Sequence, residues 1–262
     1  MDLDVGGSKV YAYTGTRPLD PAKPSVVFVH GAANDHSVWL LQSRYFAHHG
    51  RNALAVDLPG HGRSAGPALR SVEAIADWLP RVFAAAGIAK ASVVGHSLGA
   101  LAALACAARH PDRVERIALC GPAVPMEVSE GLLAAAKASD HVAYELINGW
   151  STSPRKQIGG NTVPGMWLMG NAIRLMERTP PGVLHTDLVA CNEWRGGLEA
   201  AAAVRCPSLV VVGDRDLMAP LRATKALVEA LRGVRVVTLR DTGHAMMAEE
   251  PDAVLDALRG FL

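Results

Sequence analysis

The stretch "ASVVGHSLGALAALACAARHP", residues Ala91 to Pro111, decides how the chain reads. An apolar run, Ala91 to Val94, meets a glycine. His96, Ser97, Leu98 and a second glycine follow, then an alanine-rich segment. The run reads as a strand and the alanine-rich segment as a helix. Gly95 to Gly99 therefore spells G-x-S-x-G at a strand-to-helix junction, the context that motif requires. So sharp a turn strains the serine backbone. Side chains two before and two after would strike the neighbouring chain, and both positions are glycine. The turn holds Ser97 Oγ over a helix N-terminus at the C-terminal edge of a sheet. A plain Gly-rich turn that happens to contain a serine is the bland alternative, and the flanking elements favour a nucleophile.

Similar junctions recur along the 262 residues. "PSVVFVH" (24–30), "NALAVD" (52–57), "VERIALCG" (114–121), "PSLVVVG" (207–213) and "VRVVTLR" (234–240) are apolar on consecutive positions, as strands covered on both faces must be. Helical patterns separate them over 38–48, 71–86, 98–109, 220–231 and 251–262, with Pro80 expected to kink or divide the second. The alternation predicts an α/β fold with a mainly parallel, doubly wound sheet. "VGGSKVYAYTGT" (5–16) alternates weakly and fits an antiparallel edge hairpin. From 122 to 204 no strand-like run occurs. Helical patterns over 128–148, 166–178 and 183–194, broken at "GGNTVPG" and "TPPG", predict a helical cap inserted between two sheet strands. The core is then 1–121 with 205–262.

Composition narrows the function. Net charge is +1 and half of the residues are hydrophobic, with no basic block or acidic tail. That argues against nucleic acid or an anionic membrane as the main partner. Cys106, Cys120, Cys191 and Cys206 are scattered and apolar in context, so they read as buried thiols in a reducing compartment. The acidic start "MDLDVGGSKV" has no apolar targeting core, and no run is long enough to span a bilayer. A cytoplasmic protein is expected.

A serine hydroxyl needs a base. Of ten histidines, His244 in "DTGHAMMAEEP" lies just past the last strand, above the same sheet edge as Ser97. The base needs an acid to fix its tautomer. "VVVGDRDLMAP" offers Asp214, which suits the turn itself, and Asp216, one step farther into the loop; Asp241 is a third candidate. Asp216 is favoured. The order Ser97, Asp216, His244 is that of α/β-hydrolases. Oxyanion donors are assigned to the backbone N–H of Leu98 and of Ala32, the latter in "HGAANDHSVW" (30–39). "DLPGHGRS" (57–64) reads as structural, with Asp57 and Arg63 pairing or capping backbone groups and His61 not needed as a base. Trp39, Leu98, Met126, Trp167 and Met246 are candidate pocket residues, with core packing the equal rival for each.

Together "VVFVHGAA", "DLPGHGRS", "VVGHSLGA", "LVVVGDRD" and "DTGHAMMAEEP", in this order, resemble the α/β-hydrolase superfamily in its cap-bearing branch. The resemblance supports Asp216, usually the second Asp of a "GDRD" run. A serine nucleophile departs from haloalkane dehalogenases and epoxide hydrolases. Ala245 stands where C–C bond hydrolases often carry Trp, and "GHAMMAEEP" is similar to enol-lactone hydrolases and cofactor-free haloperoxidases. The implied activity is hydrolysis of a small or medium carboxylic ester or lactone, without metal or cofactor. A C–C hydrolase, lyase or haloperoxidase on the same residues is the alternative, and a silent ligand-binding protein a weaker one. The expected partner is the small-molecule substrate, with a homo-oligomer left open.

Overall fold

The computed structural model describes residues 1–160, 162–163 and 165–262. The break read in "GGNTVPG" includes positions 161 and 164, which lie outside the described residues. The chain opens with a hairpin, β1 (Asp2–Asp4) and β2 (Lys9–Tyr13), that sets Leu3 opposite Val10. Six apolar runs then become β3 (Ser25–Val29), β4 (Asn52–Val56), β5 (Ala91–His96), β6 (Val114–Cys120), β7 (Ser208–Gly213) and β8 (Arg235–Leu239). Among the described residues they form one sheet in the order β1-β2-β4-β3-β5-β6-β7-β8. β2 meets β4 antiparallel, and every pairing from β4 to β8 is parallel. All the parallel strands therefore end at one edge.

Successive strand residues feed opposite faces, as a two-residue period dictates. Val27, Val29, Val93, Val210 and Val212 join a core with α2 (Val72–Ala85) and α3 (Leu98–Arg109), which contribute Ile75, Leu79, Phe83, Leu101 and Leu104. Val26, Phe28, Val94, Leu209 and Val211 join the other core, with Phe46 of α1 (Leu40–His48) and Met246, Met247, Val254 and Leu258. This is the doubly covered α/β sheet expected from the consecutive apolar runs.

Between β6 and β7, among the described residues, come only helices: α4 (Glu130–Lys137), α5 (Val142–Ser151), α6 (Pro154–Gln157), α7 (Leu168–Met176), α8 (Val183–Glu193) and α9 (Gly197–Ala203). The helix expected over 128–148 is two helices, because Ser139 turns left-handed (φ 54°) and Asp140 Oδ1 accepts the N–H of Val142 to start the second. The short α6 and α9 lie outside the helical patterns of the sequence. After β7 come α10 (Leu221–Ala230), then α11 (Met246–Glu249) and α12 (Pro251–Arg259) beyond β8. Pro80 does not divide α2. It removes one intrahelical N–H, but Ser71 Oγ caps the helix start and Ile75, Leu79, Val82 and Phe83 are buried along one face. Among the described residues, no helix is long and apolar enough to cross a membrane.

Trp39 corrects one expectation. It ends a 3-10 turn (His36–Trp39) capped by Asp35, is 0% exposed, and packs with its ring centroid 5.4 Å from that of Phe28. It is core and does not line the cavity that Ser97 lines. Trp39→Ala should therefore destabilise the fold by about 3–5 kcal/mol, read from the urea midpoint. Trp167→Ala, at a ring 71% exposed, should change it by only about 0.5 kcal/mol.

Candidate active site

Ser97 follows β5 with φ 54° and ψ −118°. A Cβ on Gly95 would overlap the carbonyl of Gly99, and one on Gly99 would overlap the carbonyl of Val29. The two glycines let β5, α3 and the end of β3 close on one another. The Ser97 N–H donates to Cys120 O at 3.0 Å, tying the turn to the end of β6. The Leu98 N–H opens α3 and lies outside the intrahelical ladder. Gly31 abuts the same turn: a Cβ there would lie 3.0 Å from His96 Nδ1 and 3.1 Å from Ser97 Cβ. That close approach sets the 31–33 backbone beside the serine, and the N–H groups of Ala32 and Leu98 have no partner among the described residues.

His244 follows β8, and its Nδ1 donates to Asp216 Oδ2 at 2.7 Å. Both side chains are buried. Asp216 Oδ1 accepts the N–H groups of Met218 (2.8 Å) and Ala219 (2.7 Å). Burial pushes the Asp216 carboxyl up, but the charge and hydrogen bond of His244 and the two amides outweigh it and hold the group below its usual value. Asp214 instead accepts the N–H of Thr242 at 3.3 Å, and Asp241 is a left-handed turn residue 3.8 Å from Arg155. With Nδ1 bound to Asp216, His244 is left with Nε2, which is buried and has no hydrogen-bond partner among the described residues. In this conformation the Ser97 hydroxyl points at Met126 Sδ, 3.9 Å away.

Several residues that sequence reasoning passed over hold this arrangement. His96 Nε2 donates to the backbone carbonyl of His244 at 2.9 Å, with the ring centroids 4.7 Å apart. Burial first, then the neighbouring His244, lowers its pKa to about 3, so it stays neutral. Glu249, wholly buried, accepts the N–H of Gly243 (3.0 Å) and of Ser153 (3.1 Å). Ala245 N–H donates to Ser151 O at 2.9 Å. Buried Lys156 donates to Glu249 O at 3.1 Å and pairs with Glu250. The His244 loop is thus gripped on both sides by residues 151–156 of the helical insertion. Nothing local separates Glu249 from the less buried Glu250 in "AEEP", so this grip left no mark in the sequence.

Ser97 and His244 open into a cavity of about 750 Å³ between the sheet edge and the insertion, lined by apolar residues such as Met126, Leu132, Leu188, Met218 and Met247. Of the expected pocket residues, Met126 lines it. Trp39 does not, being core. Met246 is wholly buried under the sheet, and its neighbours Ala245 and Met247 face the cavity instead, because the turn of α11 directs 246 inward. Trp167 lies on the surface against Gly170, while Met166 and Leu168 on either side line the cavity. The Leu98 side chain is core, leaving only its N–H for the site. Asp57 caps backbone, accepting the N–H of His36 (2.7 Å) and of Arg63 (2.8 Å).

With this geometry in place, comparison defines the class. A model of the alpha/beta hydrolase family matches residues 26–257, and the chain belongs to that family. The pimeloyl-[acyl-carrier protein] methyl ester esterase of Aromatoleum aromaticum is 29% identical over 263 residues, covering 91% of this chain and 99% of its own. The enol-lactonase from Burkholderia xenovorans superimposes with a TM-score of 0.87 at 23% identity, covering 100% of this chain and 99% of its own. An esterase from Exiguobacterium antarcticum does so with a TM-score of 0.84 at 17% identity, covering 99% and 98%. The protein is a hydrolase of this family with esterase-type relatives.

The buried neutral histidines predict a pH dependence. Burial first, then the nearby His61, lowers the His30 pKa to about 4, and His96 lies at about 3, against 6.5 unperturbed. The unfolded chain therefore binds more protons than the native one below pH 6.5. Stability is full above 6.5 and falls as pH drops towards these native values. Between pH 7 and 5 each histidine should remove about 2 kcal/mol of unfolding free energy. Urea titrations across that range should show the loss, and His96→Asn should roughly halve it.

Proposed function

We propose that the protein is a serine hydrolase of small to medium, partly apolar carboxylic esters or lactones. The observation that carries this reading is His244, which lines the same cavity as Ser97: one ring nitrogen is fixed by a buried carboxylate, and the other is buried without a partner among the described residues. In the proposed reaction His244 Nε2 takes the Ser97 proton as Oγ attacks the carbonyl. The N–H groups of Leu98 and Ala32 hold the oxyanion. Collapse expels the alkoxide, which takes the proton from His244. A water deprotonated by the same nitrogen then releases the acid from Ser97. Asp216 keeps the imidazole tautomer and stabilises its charged form.

Residues 122–204 act in this reading as a cap whose apolar side chains bind the substrate. The relatives named for methyl ester and enol-lactone cleavage support the ester and lactone classes. The reading requires a small-molecule partner and no cofactor.

A fluorophosphonate probe and a panel of p-nitrophenyl esters and lactones test it. Wild type should be labelled at Ser97 with a stoichiometric burst. Ser97→Ala should lose labelling, and Asp216→Asn should lower kcat by about 10⁴-fold. No labelling and no burst in wild type would sink the proposal. Labelling without turnover of any ester or lactone would move it to C–C bond cleavage on the same residues.

A further inference from the structure

Ala33 is a wholly buried, non-glycine residue at φ 51°. Such a conformation persists only where the surroundings over-determine it. Here the surroundings are the helical insertion. The Ala33 N–H donates to Asp187 Oδ2 of α8 at 3.0 Å, and its carbonyl accepts from Thr179 Oγ1 at 3.2 Å. Its methyl packs in a cluster with Leu132, Met176, Leu184 and Leu188. Two residues on, Asp35 lies 3.6 Å from the Arg178 guanidinium. The same Asp187 oxygen takes His61 Nε2 at 2.8 Å, while His61 Nδ1 faces Pro59 O at 3.1 Å. Two acceptors on one imidazole require two protons, so His61 is a buried cation held against Asp187. The His61 ring lies 5.0 Å from that of His30, whose Nδ1 donates to Gly31 O at 2.8 Å. Gly31 O and the Ala32 N–H belong to one planar peptide. Asn34 closes the turn, its N–H donating to Gly31 O at 3.3 Å and its Nδ2 to Ala32 O at 3.2 Å.

Both peptides that flank Ala32 are therefore pinned, one through His30 and the other from the insertion. We propose that Asp187 and Thr179 are positioning residues: by clamping strained Ala33 they aim the Ala32 N–H at the oxyanion, so the hole is complete only when the insertion is docked. This rests on the serine-hydrolase reading. It makes the insertion part of the catalytic geometry as well as a wall of the cavity. His61 is the charged strut behind Asp187.

Asp187→Ala and Thr179→Val remove the two clamps separately, and Thr179→Val preserves volume if Asp187→Ala fails to fold. Each should lower kcat by about 10- to 100-fold, a fraction of the ~10²–10³ for losing a whole donor, with KM within about twofold. Adding Ala33→Gly, which adopts φ > 0 without strain, should restore most of the kcat lost in Thr179→Val. Amide hydrogen exchange at residue 33, protected in wild type, should speed up in both clamp variants. That last readout needs no activity, so it stands even if wild type fails to label and the hydrolase reading falls. An unchanged kcat in Thr179→Val with unchanged exchange overturns the clamp. So does a rise in KM at constant kcat, which would make these residues pocket walls only.

Discussion

Ser97 occupies a backbone conformation that costs an ordinary residue on the order of 1–3 kcal/mol, and the architecture around it keeps it there. Gly95 abuts the backbone of Gly99, and Gly99 that of Val29 and His30, so a Cβ on either glycine would overlap a carbonyl. That contact is possible only because β5 lies between β3 and β6 and α3 leaves it at once. A parallel sheet sends every strand-end loop to the same edge. The loops after β3, β6, β7 and β8 therefore arrive around one serine from four distant parts of the chain. Gly121, at the end of β6 with φ 59°, shows how tight the meeting is: a Cβ there would lie 3.0 Å from two atoms of the His244 ring.

What was legible in the sequence is what backbone sterics and strand burial write locally. The paired glycines around Ser97, the consecutive apolar runs, and the loops carrying Asp216 and His244 all follow from short-range rules, and the structure brings these residues to one edge. α3 matches its expected bounds because a strand-ending glycine turn and a helix-ending His110 frame it. The misread residues share a different cause. Trp39, Trp167 and Met246 are bulky and apolar, and nothing in a linear pattern distinguishes a core face from a cavity wall one residue away. Met246 and Met247 are adjacent, yet only the second reaches the cavity. The long-range polar contacts were wholly silent. Asp187 meets Ala33 across 154 residues, and no periodicity singles out this carboxylate among the polar residues of α8, which include His185, Thr186, Asn192 and Glu193.

The insertion touches the sheet edge at two places that matter for the proposed chemistry. On one side Ser151, Ser153 and Lys156 bind the loop around His244. On the other, Thr179 and Asp187 bind the loop around Ala32. The side chains and backbone proposed as base and oxyanion donor are each braced from above by the same body. In the proposed reading substrate entry and catalytic geometry are coupled by contact, because an insertion lifted far enough to admit a large ligand would release both loops together.

Two buried His–Asp pairs stand at this edge, and their second nitrogens separate their roles. His244 and His61 each bind a carboxylate, at 2.7 and 2.8 Å. Each also has a neighbouring imidazole, His96 or His30, held on a backbone carbonyl and driven neutral by burial. His61 spends its remaining nitrogen on Pro59 O, so its second proton is committed and it has no site from which to accept another. Burial opposes that charge, but Asp187 and the carbonyl outweigh it and raise the His61 pKa. His244 keeps its remaining nitrogen bare and buried. A lone pair without a partner costs stability in a folded interior, and it is the feature a general base needs and a strut does not. In the proposed reading the same side-chain pair therefore serves as a fixed charge in one place and as a proton acceptor in the other, according to whether a carbonyl holds the second ring nitrogen or leaves it bare.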